Sequence, residues 1–541
     1  MTQLLVISVG PVQEFIAAAR RTRDLWFGSY MLSEISKSVA QTVQEEGGTL
    51  IFPSSPDNTS VANIILAELS DECTAKKISD KARAAAQVKW KEFANDAKSR
   101  VGQNMINSTL WNNQIKDAIE FYSAWVPVHG NYQAARNRVM RLLAGRKNCR
   151  DFSPAPAVSI GIPKSSLDGR RESVLLRGGT SNRVFDDGEQ LCAIGLTKRM
   201  TNRHYPSVAR IAADPWLRGI RNHRAYPAFK RACESQGEAL NRLDPNQYPQ
   251  YAAFPFDGAV AFKDRLPILA REFGFNVAEL ESGLRALHVE AWPYLAVLMA
   301  DGDNMGQRIA GIDSPEGHRQ FSQQLSDFSA GVPDVVKQNN GVCVFAGGDD
   351  LLVFLPVDKA LVCACEIYKN FKDSVGSTLS IGIAIGHCME PLEDLRAYAI
   401  AAEKKAKGEK RNGLAVMIHS RSGASFGVRG CWQEQEPIQT RLDAWAKCFA
   451  ENKLPNKLPY DLRILALSRR DITGPEIQAE LRVLLKRKTN ASNLDFSEVA
   501  RHLQSCDSAD KLLRLAEEML VSQWIAASLR QAMPTITEEH A

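Results

Sequence analysis

Apolar positions run along this chain in two rhythms, short near-continuous blocks and longer stretches at helical spacing, and their alternation predicts its elements. Tyr294 to Ala300 (YLAVLMA) has the length and composition of a buried strand, and it ends in Asp301-Gly302-Asp303-Asn304. Helix-like sequence continues from there toward Val335. Val342 to Pro356 (VCVFAGGDDLLVFLP) then sets two apolar runs around Gly347-Gly348-Asp349-Asp350, which reads as a β-hairpin. A helical pattern over Asp358–Lys372, a strand over Thr378–Gly386, a second helical pattern over Leu392–Lys407 and a strand over Leu414–His419 follow. The resulting order, βαββαβ, is that of a ferredoxin-like palm.

The same order recurs near the start of the chain. Leu4–Val9 reads as a strand, and Gly10-Pro11 turns it into one helix over about Val12–Val43, with Leu32, Ile35 and Val39 in its apolar stripe. Thr49–Pro53 and Val61–Leu66 predict a hairpin. Helical stretches over Asp71–Arg100 and Ser108–Ile119, a strand over Tyr122–Val128 and a helix over Tyr132–Ala144 complete the unit. The expected fold class is α+β. Residues 1–150 form a first palm, 151–289 a mostly helical linker domain, 290–420 a second palm and 421–541 a helical domain. In the tail, Leu512, Leu515, Met519 and Trp524 make an apolar face on the last helix.

Chemistry enters at the hairpin tip. Adjacent carboxylates repel and raise each other's pKa, a penalty that a bound divalent cation removes. If the Tyr294–Ala300 strand lies beside the hairpin, Asp301 faces Asp349 and Asp350, and three carboxylates around one point suit Mg²⁺ or Mn²⁺. Taken alone, the Gly-Gly-Asp-Asp tip fits a solvated turn equally well. The first palm has no such set, since Ser8 and Val9 close its first strand and its hairpin carries only Asp57. Its long helix holds Arg20, Arg21, Arg23, Asp24, Trp26, Ser29 and Tyr30, a pattern that spacing alone assigns to a solvated face with Trp26 turned inward.

Together these residues carry a resemblance. The strand ending in Asp-x-Asp, the GG-acid-acid hairpin, SIGIAIG, Ala406-Lys407 and Arg411-Asn412 are similar to the palm of diguanylate cyclases and polymerases. More narrowly, DGDNMG with AGGDD resembles the large polymerase-like subunit of type III CRISPR effector complexes, Cmr (III-B) branch, and SVGPVQEFIAAARRTRDLWFGSYMLS resembles that subunit's opening segment. The resemblance implies a metal-dependent nucleotidyltransferase that makes cyclic oligoadenylate from ATP when its complex binds target RNA, in antiviral defence. It implies Asp301, Asp349 and Asp350 as catalytic residues and ligands of Mg²⁺ or Mn²⁺. Gly302, Asp303, Asn304, Gly347, Gly348, Ser380, Lys407 and Arg411 would bind the nucleotide, and Ser29 and Tyr30 a second nucleotide across a pseudo-twofold axis. Other Cmr-type subunits, guide RNA and target RNA are the implied partners. A catalytically silent scaffold remains an alternative, as does a palm joining AMP to another adenosyl compound such as S-adenosylmethionine. The duplicated palm, and Asp350 where diguanylate cyclases usually carry Glu, weigh against that activity.

Composition narrows the setting. In 541 residues, 44% hydrophobic and 24% charged content describe a multidomain globular chain, and a net charge of +5 is too mild to declare a nucleic-acid binder. No apolar run reaches membrane-spanning length. Eleven scattered cysteines without a CxxC pair fit a reduced, cytoplasmic protein. Pro163–Ser173 and Gly188–Arg199 resemble the zinc-ribbon segments of relatives. Ser165 and Asp168 stand where cysteines are expected and only Cys192 remains, so no zinc is expected. None of the nine histidines is followed by Asp, and the chain begins directly in the first palm, so no DNase activity is expected. There is no P-loop and no GxSxG. Arg469-Arg470 and Lys486-Arg487-Lys488 fit either contacts to RNA phosphates or solvated helix ends.

Overall fold

The computed structural model describes residues 2–57, 61–70, 74–101, 103–149, 161–178, 185, 188–237, 240, 242–470, 472–489 and 506–534. Its first sheet holds β1 (Gln3–Gly10), β2 (Thr49–Phe52), β3 (Ile64–Leu69) and β4 (Glu120–Pro127) in the order β2-β3-β1-β4. Helices α1 (Gln13–Ala17), α2 (Thr22–Glu45), α3 (Ala75–Val101), α4 (Ser108–Lys116), α5 (Tyr132–Asn148) and α6 (Ala193–Arg199) accompany it. Five short helices fill the connection to the second palm: α7 (Val208–Ala212), α8 (Asp214–Gly219), α9 (Tyr226–Ser235), α10 (Leu266–Phe273) and α11 (Val277–Arg285). The second sheet has six strands, β5 (Tyr294–Gly302), β6 (Val342–Gly347), β7 (Asp350–Leu355), β8 (Leu379–His387), β9 (Gly413–Ile418) and β10 (Phe426–Cys431), in the order β10-β9-β8-β5-β7-β6. Around it lie α12 (Met305–Ala310), α13 (Pro315–Gln338), α14 (Val357–Val375) and α15 (Leu392–Lys407). The tail adds α16 (Ile438–Ala450), α17 (Leu458–Ser468), α18 (Gly474–Thr489) and α19 (Ala509–Ala532).

In both sheets the first strand lies between the third and fourth of its unit, the ferredoxin-like arrangement. Burial on two faces explains why β5 reads as one apolar block. Ala296, Leu298 and Ala300 point into the core formed with α13 and α14, while Leu295 and Val297 point into a core shared with Trp26 of α2 and Ala399 and Ala402 of α15. The period of two sends alternate side chains to opposite faces, and neither face meets water.

The structure departs from the sequence reading in three places. The single helix expected over Val12–Val43 is broken at Ala18–Arg21, because Asp24 turns back to accept the backbone N–H groups of Arg20 and Arg21 and starts a new helix there. The expected all-helical tail begins with β10, which pairs antiparallel with β9 and extends the palm sheet past residue 420. Residues from the expected linker, among them Val174, Leu191, Ile194 and Leu196, share the core of the first palm. Within the basic run on α18, the side chains of Arg487 and Lys488 lie outside the described residues.

The two palms join reciprocally. Trp26 of α2 donates its indole N–H to the Cys343 carbonyl on edge strand β6 at 2.8 Å. Arg319 of α13 donates to the Leu50 carbonyl on edge strand β2 at 3.0 Å and to Glu68 at 2.9 Å. Each long helix thus covers the other palm's exposed edge, which removes a strand-pairing liability. Between them, the Tyr132 hydroxyl meets His318 Nδ1 at 2.7 Å. Burial, with a smaller contribution from Arg136, holds the His318 pKa down to about 4, below its ordinary 6.5. Between those values the unfolded chain binds the proton and the folded chain does not, so stability is lost as pH falls from 6.5 toward 4. The slope from this residue is at most about 1.4 kcal/mol per pH unit. Thermal melts at pH 7 and pH 5 should show a drop in the native chain that His318→Gln reduces.

Candidate active site

Register brings the acids together. Ala300 pairs with Leu351, so the next residues along the two strands, Asp301 and Asp350, stand side by side at the strand ends. Gly347 pairs with Asp350, and Gly348, at φ 78°, closes the tip, where a β-carbon on either glycine would meet only open space. Asp349 folds back onto the start of the Gly302 backbone. A β-carbon at Gly302 would lie 2.8 Å from the Asp349 carboxylate and 2.5 Å from Met305, so only glycine permits this approach.

The electrostatics follow from that crowding. Burial, and then the neighbouring Asp301 charge, push Asp349 up to about 6. Burial, a hydrogen bond shared with Asp301 and the Asp349 charge raise Asp350 as well. Lys407, in the last turn of α15, places its Nζ 2.6 Å from Asp301 Oδ2 and 2.6 Å from Glu403 Oε1. Asp301 is reached from α15 because strand alternation gives it the face of Leu295 and Val297, which α15 covers. Among the described residues no three His, Cys, Asp or Glu side chains already stand as a metal cage, the acid trio included. Their repulsion is eased by Lys407 and by the turn of Asp349 toward Gly302. The donor set itself, carboxylate oxygens gathered at two strand ends and a hairpin tip, fits a hard divalent cation.

Three residues expected at the nucleotide lie inside the protein instead: Gly302, covered by Asp349 and Met305, and Asp303 and Ser380. Asp303 is buried, and its carboxylate accepts from Thr378 Oγ1 at 2.8 Å, Ser380 Oγ at 2.7 Å and the Asn412 backbone N–H at 2.8 Å. Ser380 is buried and spends its hydroxyl on that bond. Asp303 therefore acts as a staple between β8 and the turn at Arg411 and Asn412, both of which hold positive φ. Arg411 is half-buried above it, its Nη1 4.0 Å from Asp303. Asn304 is exposed and left-handed, at φ 58°, and starts α12. Sequence reasoning marked Asn412 only as part of the Arg411-Asn412 motif and did not single out Glu403 or Thr378. Glu403 sits in the run AEKKAK, which reads as an ordinary charged helix surface.

Ser29 and Tyr30 line a cavity of about 280 Å³ between the palms, with Tyr205 and Tyr248, Lys337 of α13 and β6 residues as far as Ala346, one residue before Gly347. The guanidinium of Arg203 lies 3.8 Å from the Tyr30 ring centroid. None of the three acids lines this cavity. Farther from the site, Asp24 is buried against Arg199, which also grips Glu189. Cys192 caps α6 through its Sγ, and burial raises its thiol pKa.

In the first palm the pairing β1–β3 stops at Ser8–Ile64 and β1–β4 at Gly10–Glu120. In the second, β5–β7 stops at Ala300–Leu351 and β5–β8 at Gly302–Leu379. Both endings align Gly10 with Gly302, Val9 with Asp301 and Asn63 with Asp350. The first palm thus keeps the frame and lacks the carboxylates.

Comparison with known proteins agrees with this architecture. Residues 294–415 match the model of the Cas10/Cmr2 second palm domain, and residues 4–119 that of the N-terminal region of CRISPR-associated protein Cmr2. The CRISPR system Cmr subunit Cmr2 of Pyrococcus furiosus is 24% identical over 78% of this chain, and the match spans 62% of that relative's length. The Cas10/Csm1 single-strand-specific deoxyribonuclease of Thermococcus onnurineus, subtype III-A, is 25% identical over 34% of this chain and 25% of its own. In fold, the chain is similar to a subunit of the type III-B Cmr-beta complex bound to cognate target RNA, with TM-score 0.63, 14% identity, and coverage of 86% of this chain and 76% of the other. It is also similar to a chain of the Csm1–Csm4 cassette in complex with pppApA, with TM-score 0.50, 14% identity, and coverage of 98% and 69%.

The buried staple and the crowded acids make separate predictions. Asp303→Ala leaves three donors without their acceptor and should cost at least about 2 kcal/mol in denaturant unfolding. Asp349→Asn should act in the opposite direction. A carboxyl whose folded pKa is raised from 3.8 to about 6 loses its stabilising contribution as pH rises through that range. Above pH 6 its charge is a burden, so Asp349→Asn should melt higher than the native chain at pH 8, with the gap closing by pH 4.

Proposed function

We propose that this chain, which belongs to the Cas10/Cmr2 family of type III CRISPR proteins, is a nucleotidyltransferase that links ATP molecules into cyclic oligoadenylate within a III-B complex activated by target RNA. The observation that carries this reading is the gathering of Asp301, Asp349 and Asp350 at one end of β5 and β7, in a palm whose opposing palm lacks them. A divalent cation on these carboxylates, Mg²⁺ or Mn²⁺, would neutralise triphosphate charge and lower the pKa of an attacking ribose hydroxyl. In the linking step that hydroxyl oxygen bonds to the α-phosphorus of a second ATP, the bond from that phosphorus to the bridging oxygen breaks, and pyrophosphate leaves. The hydroxyl proton, made more acidic by the cation, passes to water.

The chain's own residues supply orientation around that step. The Gly347-Gly348 tip leaves room for phosphates to approach the backbone, Gly302 lets Asp349 fold in beside it, and Lys407 and Arg411 bring positive charge to the phosphates. Asp303 holds the Arg411–Asn412 turn in place. Ser29 and Tyr30 would hold the second nucleotide from the first palm, across the cavity that reaches Ala346. Orienting two nucleotides this way removes much of the entropic barrier to joining them. The Csm1–Csm4 cassette of similar fold binds pppApA, two adenosines already linked, which supports the same substrate class here. The Cmr-beta complex bound to cognate target RNA supports guide RNA, target RNA and other Cmr-type subunits as partners. No helix among the described residues is long and apolar enough to cross a membrane.

The test is mass spectrometry of products from the assembled complex given ATP and target RNA. Asp349→Ala with Asp350→Ala should abolish the linked product, at least a hundredfold below native, while assembly and RNA binding persist. Product at the native rate from that variant would refute the assignment.

A further inference from the structure

Glu403 has no place in the chemistry above, yet it is built with care. It is buried, and its backbone is pressed onto β8, where a β-carbon at Gly382 would fall 2.0 Å from the Glu403 nitrogen. Glycine at 382 thus lets α15 lie directly on the sheet, and Glu403 cannot shift without moving the helix. Its Oε1 makes no properly angled hydrogen bond among the described residues, so the Lys407 ammonium 2.6 Å away is what compensates it. An isolated buried carboxylate is costly, and the pair at i, i+4 on one helix face answers that cost.

Lys407 contrasts with its anchor. Its side chain is 28% exposed, and the same Nζ lies 2.6 Å from Asp301. The amine therefore spans a fixed buried acid and an acid of the candidate metal site. A compact cation on a flexible stem can exchange one partner while keeping the other.

From this geometry we infer that Glu403 is the pivot of a movable counter-charge: Lys407 neutralises Asp301 until a divalent cation takes that carboxylate, then turns about Glu403 to meet the nucleotide phosphates. The inference rests on the assignment of Asp301 to metal binding. It makes Lys407 and the divalent cation competitors for one oxygen, and it makes Glu403 a positioning residue that acts through Lys407. Without Glu403, Lys407 settles fully on Asp301, which strengthens the competitor and withdraws the cation from the phosphates.

The experiment titrates the full-length chain with Mn²⁺ alone, reading free Mn²⁺ by electron paramagnetic resonance, and measures ATP binding separately by equilibrium dialysis. Lys407→Met should bind Mn²⁺ several-fold tighter in the absence of nucleotide and ATP several-fold more weakly. Glu403→Gln should weaken both, again several-fold. Because Lys407→Met strands the buried Glu403, the double variant Lys407→Met with Glu403→Leu provides the same test without an unpaired charge, and it should match Lys407→Met. Mn²⁺ affinity unchanged or weakened in both Lys407 variants overturns the competition, and unchanged binding in Glu403→Gln overturns the pivot. Asp301→Asn separates the two levels. Loss of Mn²⁺ binding in that variant upholds the metal site whatever the Lys407 variants do, while unchanged binding overturns the site and the inference together.

Discussion

Like charges held together at the end of a strand pair are the constraint around which this structure is arranged. The ladder from Ala296–Leu355 to Ala300–Leu351 leaves no freedom in where Asp301 and Asp350 emerge, so their repulsion cannot be relaxed by sliding the strands. It is met locally instead. Asp349 turns to the backbone at Gly302, and Lys407 arrives from a helix that the sheet's other face requires for its own burial. A site built this way is under electrostatic load in its resting form. The pairing that creates that load belongs to the palm's core.

The surrounding shell shows where rigidity is placed. Asp303 lies two residues beyond Asp301 and faces inward, tying β8 to the Arg411–Asn412 turn through three short bonds. The turn's two positive-φ residues are strained for side chains other than glycine, and a buried acceptor that holds the Asn412 N–H offsets that strain. The frame fixes the acids from beneath, and the half-buried Lys407 and Arg411 set positive charge beside them.

Much of this was legible in the sequence because the signals are local. The YLAVLMA block, the apolar runs around GGDD and the helical patterns between them each declare an element over six to twenty residues, and counting elements gave βαββαβ twice. Asp301, Asp349 and Asp350 followed, since strand ends and a hairpin tip are positions that a one-dimensional pattern locates. The misreadings share a different cause. Whether Asp303 points outward or inward depends on Thr378 and Ser380, about 75 residues away, and motif spacing carries nothing about that. The break at Ala18–Arg21 depends on Asp24, which also pairs with Arg199 across 175 residues. β10, with Gly427 and Gly430 in a six-residue strand, has weak strand propensity and forms because β9 presents an edge for it to pair with. Glu403 was invisible for the same reason, since its burial is set by Gly382 on another element.

The relation between the two palms shows why one chain carries both. Each palm alone leaves an edge strand open and one face of its long helix without cover. Trp26 on β6 and Arg319 on β2 close both edges by the same move, applied in opposite directions. Those contacts, Trp26 to Cys343 and Arg319 to Leu50, do not involve the strand-end positions at which the two palms differ. In the first palm Val9 and Asn63 stand at the positions of Asp301 and Asp350, which removes the like-charge load from one half while leaving its fold intact. A second acidic cluster would double the repulsion that the shared core must absorb. The first palm keeps Glu120 at the end of β1, beside Gly10, but no acids stand at its counterparts of Asp301 and Asp350 to repel each other.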